Sequence, residues 1–196
     1  MHLSRRIQHR NRPGAFEGRS SRFYDFVARR PLRRIYRRLA ADIAALAPTG
    51  AAVLDLGTGP GVLLVELGRT RPDLHLSGID LSADMVTNAS RNLRQTGTSG
   101  SVRVGDVTDV PFPEDSFDLI VSSLSLHHWD RPEAAAPEIA RVLRPGGKVV
   151  IYDVGLAPFD LLTEAAAGTG QFPGTPRRTR VRTGVPFVRL DKLELG

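Results

Sequence analysis

The chain has 196 residues, a formal net charge of +6, 41% apolar and 24% charged residues, and no cysteine. That length suits one domain with a self-sufficient core, and the missing cysteines exclude disulfides, thiolate metal centres and cysteine nucleophiles. No apolar run approaches the ~20 residues that a membrane span needs. The start, MHLSRRIQHRNRPG, has positive charge but no apolar stretch behind it. It therefore does not read as a secretory signal, and an organelle transit peptide is the alternative. A cysteine-free chain fits the cytoplasm, the expected location. The charge is uneven. Residues 1–38 carry twelve arginines against Glu17 and Asp25, residues 177–196 carry five arginines and Lys192 against Asp191 and Glu194, and the body between is net acidic.

Residues 1–20 mix Arg, Gly, Ser and Pro without periodicity and read as a disordered basic arm. From Phe23 apolar residues recur at near-helical spacing, through Ile35, Tyr36, Leu39 and Ile43, with Pro31 expected to break the run into two helices. Strand and helix then alternate. Ala51–Leu56 reads as a buried strand, Val62–Gly68 as a helix and Leu74–Asp80 as a strand. Ser82 caps a helix ending near Gln95, with Gly97 as its stop. Ser101–Gly105 and Phe117–Ser123 read as strands. A helix over Pro132–Leu143, awkwardly containing Pro137, leads to a fifth strand at Lys148–Asp153. Phe159–Ala167 reads as a short helix. Arg177–Thr183 and Val185–Leu195 read as an antiparallel pair around Gly184. This alternation predicts an α/β fold: an open, mostly parallel sheet with helices on both faces and a binding crevice at the carboxyl ends of its strands.

Val53-Leu-Asp55-Leu-Gly57-Thr-Gly59-Pro-Gly61 runs from a buried strand through a glycine loop into a helix. Such glycines admit a sharp turn and a ligand at close range, and the N–H groups at the helix start face anionic groups. The dinucleotide fingerprint asks for a small residue where Val62 stands, and Pro60 removes one N–H. Asp80, at the end of the next strand, suits both hydroxyls of an adenosine ribose. At this point a nicotinamide cofactor and an adenosyl donor are both open. Asp106, after the third strand, can accept from an adenine amino group, and the backbone N–H of Val107 can reach a ring nitrogen. Pro111-Phe112, Phe117-Asp118-Leu119-Ile120 and Leu143-Arg144-Pro145-Gly146-Gly147 follow in order.

This ordered series, over about residues 50–153, resembles the class I S-adenosylmethionine (SAM)-dependent methyltransferases, especially the ubiquinone/menaquinone biosynthesis-like group (methyltransferase type 11). The resemblance implies a Rossmann-like sheet of seven strands with an antiparallel last strand, and SAM as cofactor. It implies that Gly57, Thr58, Gly59 and Gly61 pack against the methionine part and that Asp55 orients its ammonium. It also places Asp80 on the ribose, Leu81 and Met85 near adenine, and Asp106 and Val107 on the adenine edge. The domain expectation is the arm at 1–20, a helical lid at 21–47, the SAM-binding core at 50–153, and a C-terminal helix and β-hairpin at 156–196.

Methyl transfer from a sulfonium mainly requires alignment and exclusion of water, with a base only where the acceptor must lose a proton. Ser122-Ser-Leu-Ser-Leu-His127-His128-Trp129-Asp130 follows the fourth strand and should line the crevice. Ser123 is assigned to the methionine ammonium, and His127 or His128 to the base. The alternative is one histidine packed beneath SAM and the other in solvent. Trp129 either stacks on a flat acceptor or closes the core, and Tyr24, with His128, is a candidate substrate contact. No metal site is expected. The expected acceptor is a small molecule, in a pocket that is open or finished by a second subunit in a homodimer. The alternatives are a nucleic-acid acceptor steered by the basic arm, a non-catalytic SAM-binding scaffold, and a nicotinamide-dependent oxidoreductase.

Overall fold

A computed structural model describes the backbone of residues 21–196 and the side chains from Leu32 onward. The chain divides into two units, Met1–Arg30 and Pro31–Gly196. The fold is that of the second unit. In chain order the elements are α1 (Ser21–Leu46), β1 (Ala52–Leu56), α2 (Val62–Thr70), β2 (His75–Asp80), α3 (Ala83–Thr96), β3 (Ser101–Val104) and β4 (Phe117–Ser123). A 3₁₀ turn (Leu126–His128), α4 (Pro132–Val142), β5 (Leu143–Asp153), α5 (Phe159–Gly168), β6 (Arg177–Arg182) and β7 (Arg189–Leu195) complete it.

The strands form one seven-stranded sheet in the order β3-β2-β1-β4-β5-β7-β6. β1 to β5 are parallel, β7 is antiparallel to β5, and β6 is antiparallel to β7. β7 alone therefore runs against the rest, as the resemblance implied. Alternation along the strands feeds two separate cores. Leu54, Leu56, Ile120, Val149 and Ile151 pack with Ile139 and Val142 of α4 and Phe159 and Leu162 of α5. Val53, Leu119, Val121, Val150 and Tyr152 pack with Leu39 and Ile43 of α1, Leu63, Leu64 and Leu67 of α2, and Leu93 of α3. Such two-sided burial is why the central strands read as continuous apolar runs.

Two expectations are corrected, on α1 and β5, and α4 stands as expected despite its proline. α1 is assigned as one helix through Pro31. Pro137 sits inside α4, on its exposed side. The carbonyl one turn back that loses its donor can be hydrated there, so the helix is not divided. β5 begins at Leu143, opposite Phe117, and the register then jumps to Lys148 opposite Leu119. Arg144–Gly147 bulges from the ladder, with Gly146 at φ +77°.

The order reverses at β1, whose neighbours β2 and β4 are reached by connections on opposite faces. In open α/β sheets the binding crevice lies beyond the carboxyl ends of the strands at such a switch, which here are the ends of β1 and β4. At the opposite end of the sheet, Arg71 donates to the carbonyls of Ala44, Ala47 and Pro48, so a cation closes the C-terminus of α1.

Candidate active site

The loop after β1 separates its glycines by role. A methyl group on Gly57 would stand 1.8 Å from Ser125 Oγ, and one on Gly61 would stand 3.0 Å from Ala89 Cβ. These two let the loop close against the turn after β4 and against α3. Gly59, at φ +53°, has nothing within 4 Å in that direction and faces the open crevice. The expectation that all three lie alike on the methionine part is thereby refined. The loop is held by Thr58 N–H donating to Ile79 O at 2.9 Å and by Asn92 Nδ2 donating to Pro60 O at 2.9 Å.

Beneath the loop lies Asp55, 1% exposed. Its Oδ2 accepts from Thr58 Oγ1 at 2.8 Å, while Oδ1 is buried with no hydrogen-bond partner among the described residues. Burial pushes its carboxyl up to about 7; the Thr58 hydroxyl opposes that rise and the charge of Asp80 adds to it. An unsatisfied buried carboxylate oxygen is costly, and here it lies at the carboxyl end of β1.

Asp80 ends β2. Its Oδ2 accepts from Gly59 N at 2.8 Å and its Oδ1 from Ser82 N at 2.9 Å. One carboxylate thus fixes the glycine loop and the entry to α3, with a lone pair left on each oxygen. Beside it Leu81 is 73% and Met85 37% exposed, an apolar surface open to a flat ligand. Asp106 uses Oδ1 to accept from Thr108 N and Oγ1, at 2.8 and 2.9 Å, and Val107 packs partly buried on the α4–α5 core.

The far side is built at β4 and β5. Ser122 Oγ donates to Leu56 O at 2.8 Å, and Ser123 is 6% exposed. Leu124 takes φ +55° and its N–H donates to Tyr152 O at 2.8 Å, turning the chain off the sheet. The 3₁₀ turn follows. His127 donates its backbone N–H to Asp153 Oδ2 at 3.1 Å, and its Nδ1 lies 2.7 Å from Asp153 Oδ1. Asp153 is fully buried. The His128 ring stacks on that of His127, with centroids 3.9 Å apart at 44°. Trp129 Nε1 donates to Ser125 Oγ at 2.9 Å and its ring packs on the α4–α5 core. That ties it to the underside of the glycine loop.

Two residues escaped the sequence reading. Asp153 appeared only as a strand end, and Tyr36 only as one apolar position of a helix. Burial first, then the charge of Asp55, pushes the Tyr36 hydroxyl up to about 12; the nearby Ser123 hydroxyl opposes this, and the charge of Asp153 adds to it. Tyr36 therefore stands among Asp55, Ser123 and Asp153. Adjacency of β4 and β5 in the sheet was the available signal for Asp153, because it sets the end of β5 beside whatever follows Ser123. Tyr24 lies outside the residues whose side chains are described.

A strand order of 3-2-1-4-5-7-6 with β7 reversed, and a glycine loop between two strand-end acids, define the fold of a class I SAM-dependent methyltransferase. The chain belongs to the methyltransferase domain family, whose model matches residues 54–151. It is 33% identical over 144 residues to the ubiquinone/menaquinone biosynthesis C-methyltransferase UbiE of Geotalea daltonii, covering 70% of this chain and 61% of that protein. The chain spans about half to three fifths of the length of such curated relatives. Among solved structures, the PH0226 protein of Pyrococcus horikoshii superposes with a TM-score of 0.72 at 16% identity, over 89% of this chain and 97% of that one. A putative SAM-dependent methyltransferase of Methanococcus maripaludis gives 0.64 at 26% identity, over 79% and 74%. No helix among the described residues is long and apolar enough to cross a membrane.

Proposed function

We propose that this chain takes the methyl group of SAM and places it on a ring carbon of a small hydroxyl-bearing aromatic acceptor of the quinol kind. The observation that carries the donor half is the buried, partnerless Oδ1 of Asp55 beneath the open face of Gly59. An ammonium is the partner that oxygen lacks, received directly or through water. Gly59 lets a ligand lie against the backbone, where a side chain would intrude. Asp80 meets the ribose hydroxyls with the lone pairs that Gly59 and Ser82 leave unused. Leu81 and Met85 cover one face of adenine. Asp106 Oδ2 accepts from its amino group, and the Val107 N–H reaches a ring nitrogen. Ser123 and Tyr36 border the ammonium end.

When bound, SAM supplies a methyl already activated by the sulfonium charge. The protein's part is alignment and exclusion of water. Support for the acceptor comes from relatives that methylate carbon in ubiquinone and menaquinone biosynthesis. The acceptor side of this crevice also holds groups able to manage a hydroxyl proton.

Calorimetric titration with S-adenosylhomocysteine (SAH), with NADH as control, tests the donor. Micromolar binding of SAH alone is the expected result, and binding of NADH in its place overturns the reading. Incubation with methyl-labelled SAM and a short-chain hydroquinone tests the acceptor. Label bonded to ring carbon is expected, and label found only on oxygen or nitrogen of any acceptor tried would refute carbon transfer.

A further inference from the structure

Resting on that reading, we infer that His127 is the group that takes the acceptor's hydroxyl proton and that Asp153 is the residue that positions it. Sheet order creates the pair. Ser123 of β4 lies opposite Tyr152 of β5, so the next residue of β5, Asp153, ends beside the turn that leaves β4. The left-handed conformation of Leu124 turns the chain so that His127 comes back over that strand end.

The hydrogen bonds decide which ring nitrogen is available. Asp153 Oδ1 accepts from Val154 N at 2.7 Å, and Oδ2 accepts from His127 N at 3.1 Å. Backbone N–H groups only donate, so they favour the ionised carboxylate as acceptor. The contact at 2.7 Å to His127 Nδ1 is therefore Nδ1–H donating to Asp153. A neutral imidazole with its proton on Nδ1 carries its lone pair on Nε2. The His127 side chain is 33% exposed while that of Asp153 is fully covered, so the carboxylate is shielded and the imidazole keeps an open edge. His128 stacks on one side of the ring and hinders its rotation. The ionisable groups around the pair are Asp153 from β5, His128 within the turn, and Tyr36 from α1 with Asp55 behind it. Asp153 ends β5 and Asp55 lies at the carboxyl end of β1, two strands away in the sheet, so the dyad stands at the same end of the sheet as the proposed ammonium site.

The proton step balances simply. Nε2 accepts the hydroxyl proton of the acceptor, and the O–H electron pair stays on oxygen and is delocalised onto the ring carbon that is methylated. Asp153 remains a carboxylate and stabilises the imidazolium. The ring carbon takes the methyl as the methyl–sulfur bond breaks, with that electron pair left on SAH. The hydrogen displaced from the ring carbon then leaves to water as the one net proton, and the imidazolium returns its proton to the oxygen, which restores the hydroxyl.

The test uses the full chain with SAH bound. Ring-¹⁵N spectra at pH 8 should show His127 protonated on Nδ1 and bare on Nε2. The opposite tautomer overturns the proposal whether or not an acceptor has been found. Asp153→Asn, which is equal in size, can keep only one acceptor oxygen and should weaken that tautomer preference. An unchanged spectrum removes Asp153 from its role. His127→Ala should keep SAH affinity within twofold, lower turnover of the hydroquinone probe by 10²- to 10³-fold, and recover at least tenfold in added imidazole. Unchanged turnover, or a loss with no imidazole rescue, assigns the histidine a different role. Failure of the wild-type chain to bind SAH would instead strike the methyl-donor reading, because the tautomer is measurable without it.

Discussion

The donor side of the crevice and its acceptor side are made from different materials. On the proposed donor side, a backbone loop is held by carboxylates that also face the ligand, all drawn from consecutive pieces of chain: Asp55 on Thr58, and Asp80 on Gly59 and Ser82. On the proposed acceptor side the groups are side chains from three elements, with Tyr36 from α1, His127 from the turn after β4 and, buried behind it, Asp153 from β5. A ligand common to a whole family can be met by backbone shape. An acceptor that differs between relatives has to be met by side chains, which exchange without disturbing the loop. The division also explains why the three glycines are not equivalent: Gly57 and Gly61 are packed where a side chain would stand, and Gly59 alone has open space there.

The largest expected effect sharpens that last contrast. Gly59→Val places a branched side chain at φ +53°, a conformation that β-branched residues strongly disfavour, and projects it into the crevice. SAH affinity should fall by more than about 100-fold (roughly 2.7 kcal/mol), while the melting temperature falls only by what the backbone strain costs. Gly57→Ala should do the reverse. Its new methyl group collides with Ser125 Oγ, so the melting temperature should drop by several degrees. Equal effects on affinity and stability in the two variants would erase the distinction between packing and ligand glycines. Next in size, Asp80→Ala removes two ligand hydrogen bonds, each worth about 1.4 kcal/mol, and frees the N–H groups of Gly59 and Ser82. SAH should bind about 100-fold more weakly, and a change under threefold would remove the ribose from Asp80.

The contrast also accounts for what could be read from the sequence. The donor side was legible because its pieces are consecutive. A buried strand ending in a glycine loop, with an acid closing the next strand, is a local pattern that turn geometry dictates. Ser82 and Gly97 cap α3 as their residue types require, with Met85 N donating to Ser82 Oγ and Gly97 in the left-handed region. The acceptor side was legible only in part. The histidines were found because they follow a strand end, but the partner that selects between them lies 26 residues away and no spacing rule joins them. Tyr36 was hidden by its own periodicity, because a tyrosine on the buried stripe of a helix looks like core. Pro31 misled because local propensity is a weak prior.

The smallest effect tests how the two sides are joined, through Asp55. Its carboxyl is pushed up to about 7 by burial. Binding an ammonium requires the carboxylate, so at pH 6 only about one tenth of the sites are competent, and SAH should bind about tenfold more weakly than at pH 8. Asp55→Asn should bind weakly at both pH values and lose that dependence. Stability has the opposite sign. Between about pH 4 and 7 the folded chain keeps a proton on Asp55 that the unfolded chain has released, so this group's contribution to stability declines as pH rises through that window. Above it the ligand-free protein carries a buried, partnerless charge. Asp55→Asn should therefore raise the melting temperature at pH 8 by a few degrees and make no such gain at pH 4. A variant that loses both affinity and stability at pH 8 would make Asp55 a structural residue, and the ammonium would then have to be sought at Ser123 and Tyr36.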